Sequence, residues 1–155
     1  MIVVSDTSAI SNLIAIGREN LLWQLFGEVI IPEAVRVELQ RVHGAIPDFV
    51  SVRRVRNVAA VHALRATPLD EGESEAITIA EELSADYLLI DEKAGRAVAT
   101  ERKLQIIGVL GVLGRAKEAG LLASVGPELE KLTCDFKFWI SPSLRRSFLS
   151  DMGEA

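Results

Sequence analysis

Two aspartates follow short apolar runs: Asp6 comes after Ile2-Val3-Val4-Ser5, and Asp91 after Tyr87-Leu88-Leu89-Ile90. If those runs are strands of one parallel sheet, both carboxylates emerge at its C-terminal edge, where open α/β sheets bind their ligands. Two glutamates join them from stretches with helical period. On a wheel of residues 32–42, Glu38 falls among Ala34, Val35, Leu39 and Val42, while Glu33, Arg36 and Gln40 take the other side. On a wheel of residues 71–84, Glu73 lies with Ala76, Ile77, Ile79, Ala80 and Leu83, leaving Ser74, Glu75, Thr78, Glu81 and Glu82 as the solvent face. An acid on a buried stripe needs a partner. Each acid also has a plainer role. Asp6 and Asp91 each precede a helix and can cap it, Asp70 and Glu73 have the spacing of a capping box, and Glu38 can sit at the rim of its stripe.

Together, Asp6, Glu38, Glu73 and Asp91 would form a carboxylate cluster at one sheet edge. Like charges in contact raise one another's pKa, and a divalent cation relieves that repulsion. Hard oxygen donors select Mg²⁺ or Mn²⁺, which acidify water and neutralise charge on phosphate oxygens. A softer metal has no cage here, because Cys134 is the single cysteine and only His43 and His62 accompany it. A lone cysteine also forms no internal disulfide, which fits a reducing cytoplasm.

The elements that must position these acids alternate. Strand-like runs occupy 2–5, 28–31, 50–55, 87–90 and 105–109, separated by helical stretches at 8–16, 19–26, 32–42, 58–66, 71–84, 92–102 and 109–119. Pro32 suits a first helical position and Gly120 a position just past a helix end. The alternation predicts an α/β fold, a central parallel sheet flanked by helices. The runs at 2–5 and 87–90 are apolar almost throughout, as expected of neighbouring central strands. Residues 1–124 read as one domain. Residues 125–155 read as a C-terminal extension whose last helix, begun by Ser141-Pro142, packs on the domain or on a partner.

Composition narrows the class. Hydrophobic residues make up 49% of the 155, which excludes a disordered chain. Seventeen Lys and Arg against 22 Asp and Glu leave a net charge of −5, which argues against a nucleic-acid coat protein. It does not argue against an enzyme whose acids hold cations. No basic leader and no long apolar span is written, so export and membrane insertion are not expected. Two Trp, one Tyr and five Phe do not cluster along the chain with the basic run Arg53, Arg54, Arg56 or with Lys93, Arg96, Arg102 and Lys103. By that measure a base-stacking platform is not expected. The Gly108, Gly111, Gly114 series lacks the spacing of a dinucleotide site and reads as close helix packing.

Four segments in order resemble the PIN domain, and within it the compact proteins related to VapC-type toxins. They are the strand-then-Asp-Thr-Ser start, Pro-Glu-Ala-Val-x-x-Glu-Leu at 32–39, Gly-Glu-Ser-Glu-Ala-Ile at 72–77, and Leu-Ile-Asp-Glu at 89–92 followed by Arg96. The resemblance implies a metal-dependent endoribonuclease using Mg²⁺ or Mn²⁺, with its acids falling on Asp6, Glu38, Glu73 and Asp91. Glu75 is a second candidate for the third acid, and Ser8 matches the hydroxyl residue beside the first, where it could bind a phosphate. Glu92 is the nearest substitute for a further acid that such nucleases often carry. Arg96 is either a phosphate contact or the i,i+4 partner of Glu92. Acyl-phosphate chemistry on Asp6 would want an aspartate two residues on, where Ser8 stands. The resemblance further implies an RNA substrate, a small basic antitoxin protein that presents Arg or Lys to the acids, and a homodimer through an exposed apolar helix at 109–119 or at 143–150. The alternative is a catalytically inactive PIN-like interaction module.

Overall fold

The computed structural model describes residues 1–155. Five strands, β1 (Val3–Ser5), β2 (Val29–Pro32), β3 (Val50–Arg53), β4 (Tyr87–Leu89) and β5 (Ile106–Ile107), form one sheet in the order β3-β2-β1-β4-β5, every pair parallel. Strands β1 and β4 are central neighbours, as their apolar runs predict, with Ser5 opposite Leu89.

Period-two alternation sends successive residues to opposite faces. Val3, Val29, Ile31, Leu89 and Ile107 join the larger core cluster, while Val4, Ile30, Leu88 and Ile90 join the smaller one. The larger face is covered by α1 (Thr7–Ala15), α2 (Asn20–Phe26), α3 (Glu33–His43) and α7 (Val109–Glu118). The smaller is covered by α4 (Val58–Arg65), α5 (Glu71–Glu82) and α6 (Lys93–Glu101). No helix is long and apolar enough to cross a membrane.

Several boundaries differ from expectation for physical reasons. Pro32 is not the first helical residue: it ends β2 in an extended conformation and stands as the N-cap of α3. The fifth strand stops at Ile107, because Val109 already opens α7. Ser74 and Thr78 are buried rather than solvated. Helix α5 touches the sheet as well as α3, α4 and α6, so it is enclosed almost all round. Each hydroxyl bonds back to a carbonyl of its own chain, Ser74 Oγ to Asp70 O and Thr78 Oγ1 to Ser74 O, the local solution for a buried hydroxyl. Val42, placed on the inner stripe of α3 by its wheel, is exposed because the last turn of α3 runs past the core. Gly120 does follow the end of α7, at φ +78°, the left-handed conformation of a helix stop.

The expectation that 109–119 is an exposed apolar helix is overturned. Val109, Val112, Leu113 and Ala116 are fully buried, and α7 packs against α1, α2 and β5 as an inner element. The C-terminal residues build outward from it. Helix α8 (Gly126–Glu130) and the wide turn Lys131–Asp135 put Leu129 and Leu132 into the interior. Helix α9 (Pro142–Asp151) then lays Phe148 and Met152 beside Gly114 of α7. Glu154 latches the end. One oxygen accepts from Lys117 Nζ at 2.7 Å and Val125 N at 2.9 Å, the other from Gly126 N at 2.9 Å.

Candidate active site

The C-terminal ends of β1 and β4 carry the two aspartates. Asp6 N–H donates to Leu89 O at 3.0 Å, prolonging the strand pairing by one residue. The side chain then turns back as the N-cap of α1, its oxygens accepting from Ala9 N at 3.1 Å and Ser8 Oγ at 3.0 Å. Asp6 is therefore both a cap and a buried acid. Burial holds its pKa well above the ordinary carboxylate range, the bonds from Ala9 and Ser8 pull it down, and the charges of Asp91 and Glu73 push it up further.

Glu73 closes a complete capping box. Its backbone N–H donates to Asp70 Oδ1 at 2.8 Å and its own Oε1 accepts from Asp70 N at 3.1 Å. The box occupies only one oxygen. Oε2 is buried with no hydrogen-bond partner, and burial raises the carboxyl pKa to about 7. The approach of α6 to this oxygen depends on Gly95, since a Cβ there would stand 2.7 Å from Glu73 Oε2 and 2.5 Å from Ile90 Cδ1.

Asp6, Glu38 and Glu73 line one cavity of about 420 Å³, together with Ser8, Asp70 and Glu92. Apart from Pro68 the lining is polar, with Thr7, Ser11 and Asn12 completing it. Glu38 reaches in from α3 and is half-buried. Glu92 is exposed at the rim as the N-cap of α6.

Asp91 sits just beyond, at the head of a neighbouring groove. The sequence offered it as a cap for α6; it instead accepts from Val109 N, at 3.0 and 3.3 Å, at the first turn of α7. Burial raises its pKa, while the Val109 N–H, the Arg96 charge and the Asn12 side chain work the other way. Arg96 makes no ion pair with Glu92. A Cβ on Gly108 would meet Arg96 Nη1 at 2.7 Å and Asp91 Oδ1 at 2.5 Å, so that glycine serves the Asp91–Arg96 approach and not helix packing. Glu75 lies outside the cavity. It caps α3, accepting from Ala34 N at 3.2 Å, and burial raises its pKa.

Sequence reasoning passed over Thr7, Ser11, Asn12 and Gly95, and took Gly108 for a helix-packing position. The helical spacing of Ser8, Ser11 and Asn12, at i, i+3 and i+4, was a readable signal of a polar stripe facing the acids. The glycines had no signal short of the fold. As they stand, no three acids converge closely enough to ligate one ion directly. Mg²⁺ commonly keeps several waters and uses one or two carboxylates, so a cavity rich in carboxylate and hydroxyl oxygens, beside a Glu73 whose Oε2 lacks a donor, fits a hard divalent cation. Asp6 and Glu73 are the side chains that would hold it, with Glu38 and Asp91 beside them.

The chain matches no curated protein and no solved structure. A family model does match: DUF3368, a PIN domain, across residues 2–154. PIN domains are typically nucleases and generally use divalent metal ions, which is the chemistry that a buried, oxygen-lined acid pocket at a parallel sheet edge can perform. Since that match runs through both the acid edge and the C-terminal helices, this chain belongs to the PIN-domain family.

Proposed function

We propose that the protein is a metal-dependent endoribonuclease that hydrolyses RNA phosphodiester bonds, and that it acts as the toxin of a toxin-antitoxin pair. The observation that carries the hydrolase reading is Glu73, which lines one cavity with Asp6 and Glu38 and whose Oε2 is buried without a donor. A carboxylate in that state is incomplete without a proton or a cation. A bound Mg²⁺ or Mn²⁺ would supply charge neutralisation at the phosphate and an acidified water.

The chain's own residues do the positioning. Ala9 N–H and Ser8 Oγ fix the Asp6 carboxylate from behind, and the capping box fixes Glu73. Val109 N–H orients Asp91, and Arg96 beside it offers a cation to a neighbouring phosphate. Such fixed geometry is what in-line attack on phosphorus requires. The partner reading follows from the same acids. An inhibitor that presents Arg or Lys to this cavity would replace the cation and silence the site.

The interaction-module reading draws on one feature, the failure of three acids to converge. Titration with Mn²⁺, followed by calorimetry and by cleavage of a labelled RNA, separates the two. Binding and cleavage that are both lost in Asp6→Asn and Glu73→Gln support the nuclease. Absence of cleavage by the unaltered protein under all divalent ions removes it. Co-purification with the product of an adjacent short reading frame tests the toxin setting.

A further inference from the structure

The groove headed by Asp91 has a volume of about 950 Å³, more than twice that of the acid cavity, and the reaction described above uses only Asp91 and Arg96 of its lining. It follows α7 away from the sheet edge. One wall carries Lys93 and Arg96, and the other is built by the C-terminal segment, with Trp139, Leu144 and Phe148. Lys93, Arg96 and Arg115 all line it, and none has a carboxylate within ion-pair distance. Trp139 is 80% exposed. Arg115 lies 4.9 Å above the Tyr87 ring. Glu118 and Asp151 also line the groove, at the C-terminal ends of α7 and α9. Gly108 beside Asp91 and Glu118 stand at opposite ends of α7, about 15 Å apart along its axis, so Glu118 lies far from Asp91.

We propose that this groove holds the single-stranded RNA flanking the scissile phosphate, with Trp139 stacking on an unpaired base and Lys93 and Arg96 meeting the phosphates next to the acid edge. The proposal rests on reading that edge as the nuclease centre. Lys93, Arg96 and Trp139 lie far apart in the chain and are brought to one groove by the fold, which supplies the stacking platform that chain neighbours do not. Stacking tolerates every base, because each presents a flat π-face. A duplex keeps its bases stacked inside and offers none to Trp139. A protein helix is the poorer occupant. It would cover Lys93 and Arg96 and leave two buried charges without partners, whereas phosphates compensate them.

The test uses the full chain in excess EDTA, so that chemistry is silent. With Trp23→Phe, a residue of α2 away from the groove, Trp139 is the single indole reporter. An unstructured RNA oligonucleotide should quench its emission, and Trp139→Ala should weaken binding of a labelled copy roughly tenfold. Lys93→Gln should reduce the dependence of log K on log salt by about 0.7, and the same sequence in a perfect duplex should bind more weakly. Unaltered emission, unaltered affinity in Trp139→Ala, or equal binding of the duplex overturns the proposal. So does a change in self-association by sedimentation in Trp139→Ala with RNA affinity intact, which would assign the groove to a second copy of the chain. RNA binding that depends on Trp139 without cleavage under any metal removes the nuclease reading and keeps the groove. Metal-dependent cleavage lost in Asp6→Asn, with Trp139→Ala binding normally, does the reverse.

Discussion

Glu73 and Glu154 each bond at the N-terminal end of a helix, α5 and α8, and they differ in what their oxygens meet. Glu154 meets donors on both sides, from the Lys117 ammonium and from the backbone N–H groups of Val125 and Gly126, and these hold its pKa well below the usual range. Glu73 meets one backbone donor, and its second oxygen is buried without one, with a pKa of about 7. The C-terminal latch is a finished interaction within the chain. The acid edge is unfinished within the chain. Under the proposed function, stability and catalysis are kept in different corners of one small domain, written with the same side chain.

The largest expected effect is at the unfinished end. Asp6→Asn keeps a capping side chain while removing one buried charge, so metal-dependent RNA cleavage should fall on the order of a hundredfold or more. The melting temperature of the metal-free protein should stay level or rise, since a like charge facing Asp91 and Glu73 is gone. Loss of folding in this variant would make Asp6 a structural cap alone. Gly95→Ala comes next. Its Cβ must displace Glu73 Oε2 or Ile90, which should cost about 1–3 kcal/mol by denaturant unfolding and lower Mn²⁺ affinity measured by calorimetry.

At the finished end, Glu154→Gln should lower the melting temperature by several degrees and leave metal affinity unaltered. Amide exchange at Val125 and Gly126 should accelerate. Exchange that stays slow there would show that the latch is dispensable.

The two ends also predict opposite responses to pH. Glu73 has a raised pKa in the folded chain, about 7 against 4.5, so the folded form binds an extra proton between those values. The metal-free protein should therefore lose stability as pH climbs from about 5 to about 7, and Mg²⁺ should restore it in the upper part of that window. Asp6, also raised, adds in the same direction. Glu154, with a lowered pKa, contributes stability that is present above its unfolded value and is lost as pH falls toward its folded one. Thermal melts with and without Mg²⁺ across this range check both signs. The smallest effect is expected for Glu75→Gln. It weakens the cap on Ala34 by about 1 kcal/mol or less, and a cleavage assay should show activity within a few-fold of the parent. A loss as large as that of Glu73→Gln would move the third acid to Glu75.

Much of the fold was legible because its strands are short apolar runs bounded by helical periods, and two-sided burial of β1 and β4 follows from their composition. Asp6 and Glu73 were legible from a strand end and a helix wheel, and the capping roles weighed against them turned out to be compatible with lining the cavity. Asp91 was half legible. Its place at a strand end could be read, but its bond to Val109 joins two elements that only the sheet order brings together. Ser74, Thr78 and helix α7 were misread because a wheel divides a helix into an inside and an outside, and these helices are enclosed on more than two sides. Trp139 was passed over because chain neighbours are a poor guide to a wall built by a returning C-terminal segment.

The parallel pairing of β1 with β4 has a kinetic side. The two strands at the centre of the sheet are joined across 84 residues, as the Ile2–Asp86 bond at their start shows. Closing so long a loop is entropically slow to reward, and contacts of this separation delay the rate-limiting assembly of a domain. Asp6 and Asp91 meet only when that closure is made, so an incompletely folded chain carries the acids but not the cavity. Substitutions that weaken the Val4–Leu88 contact should therefore slow the gain of metal binding during refolding more than they slow the gain of helix.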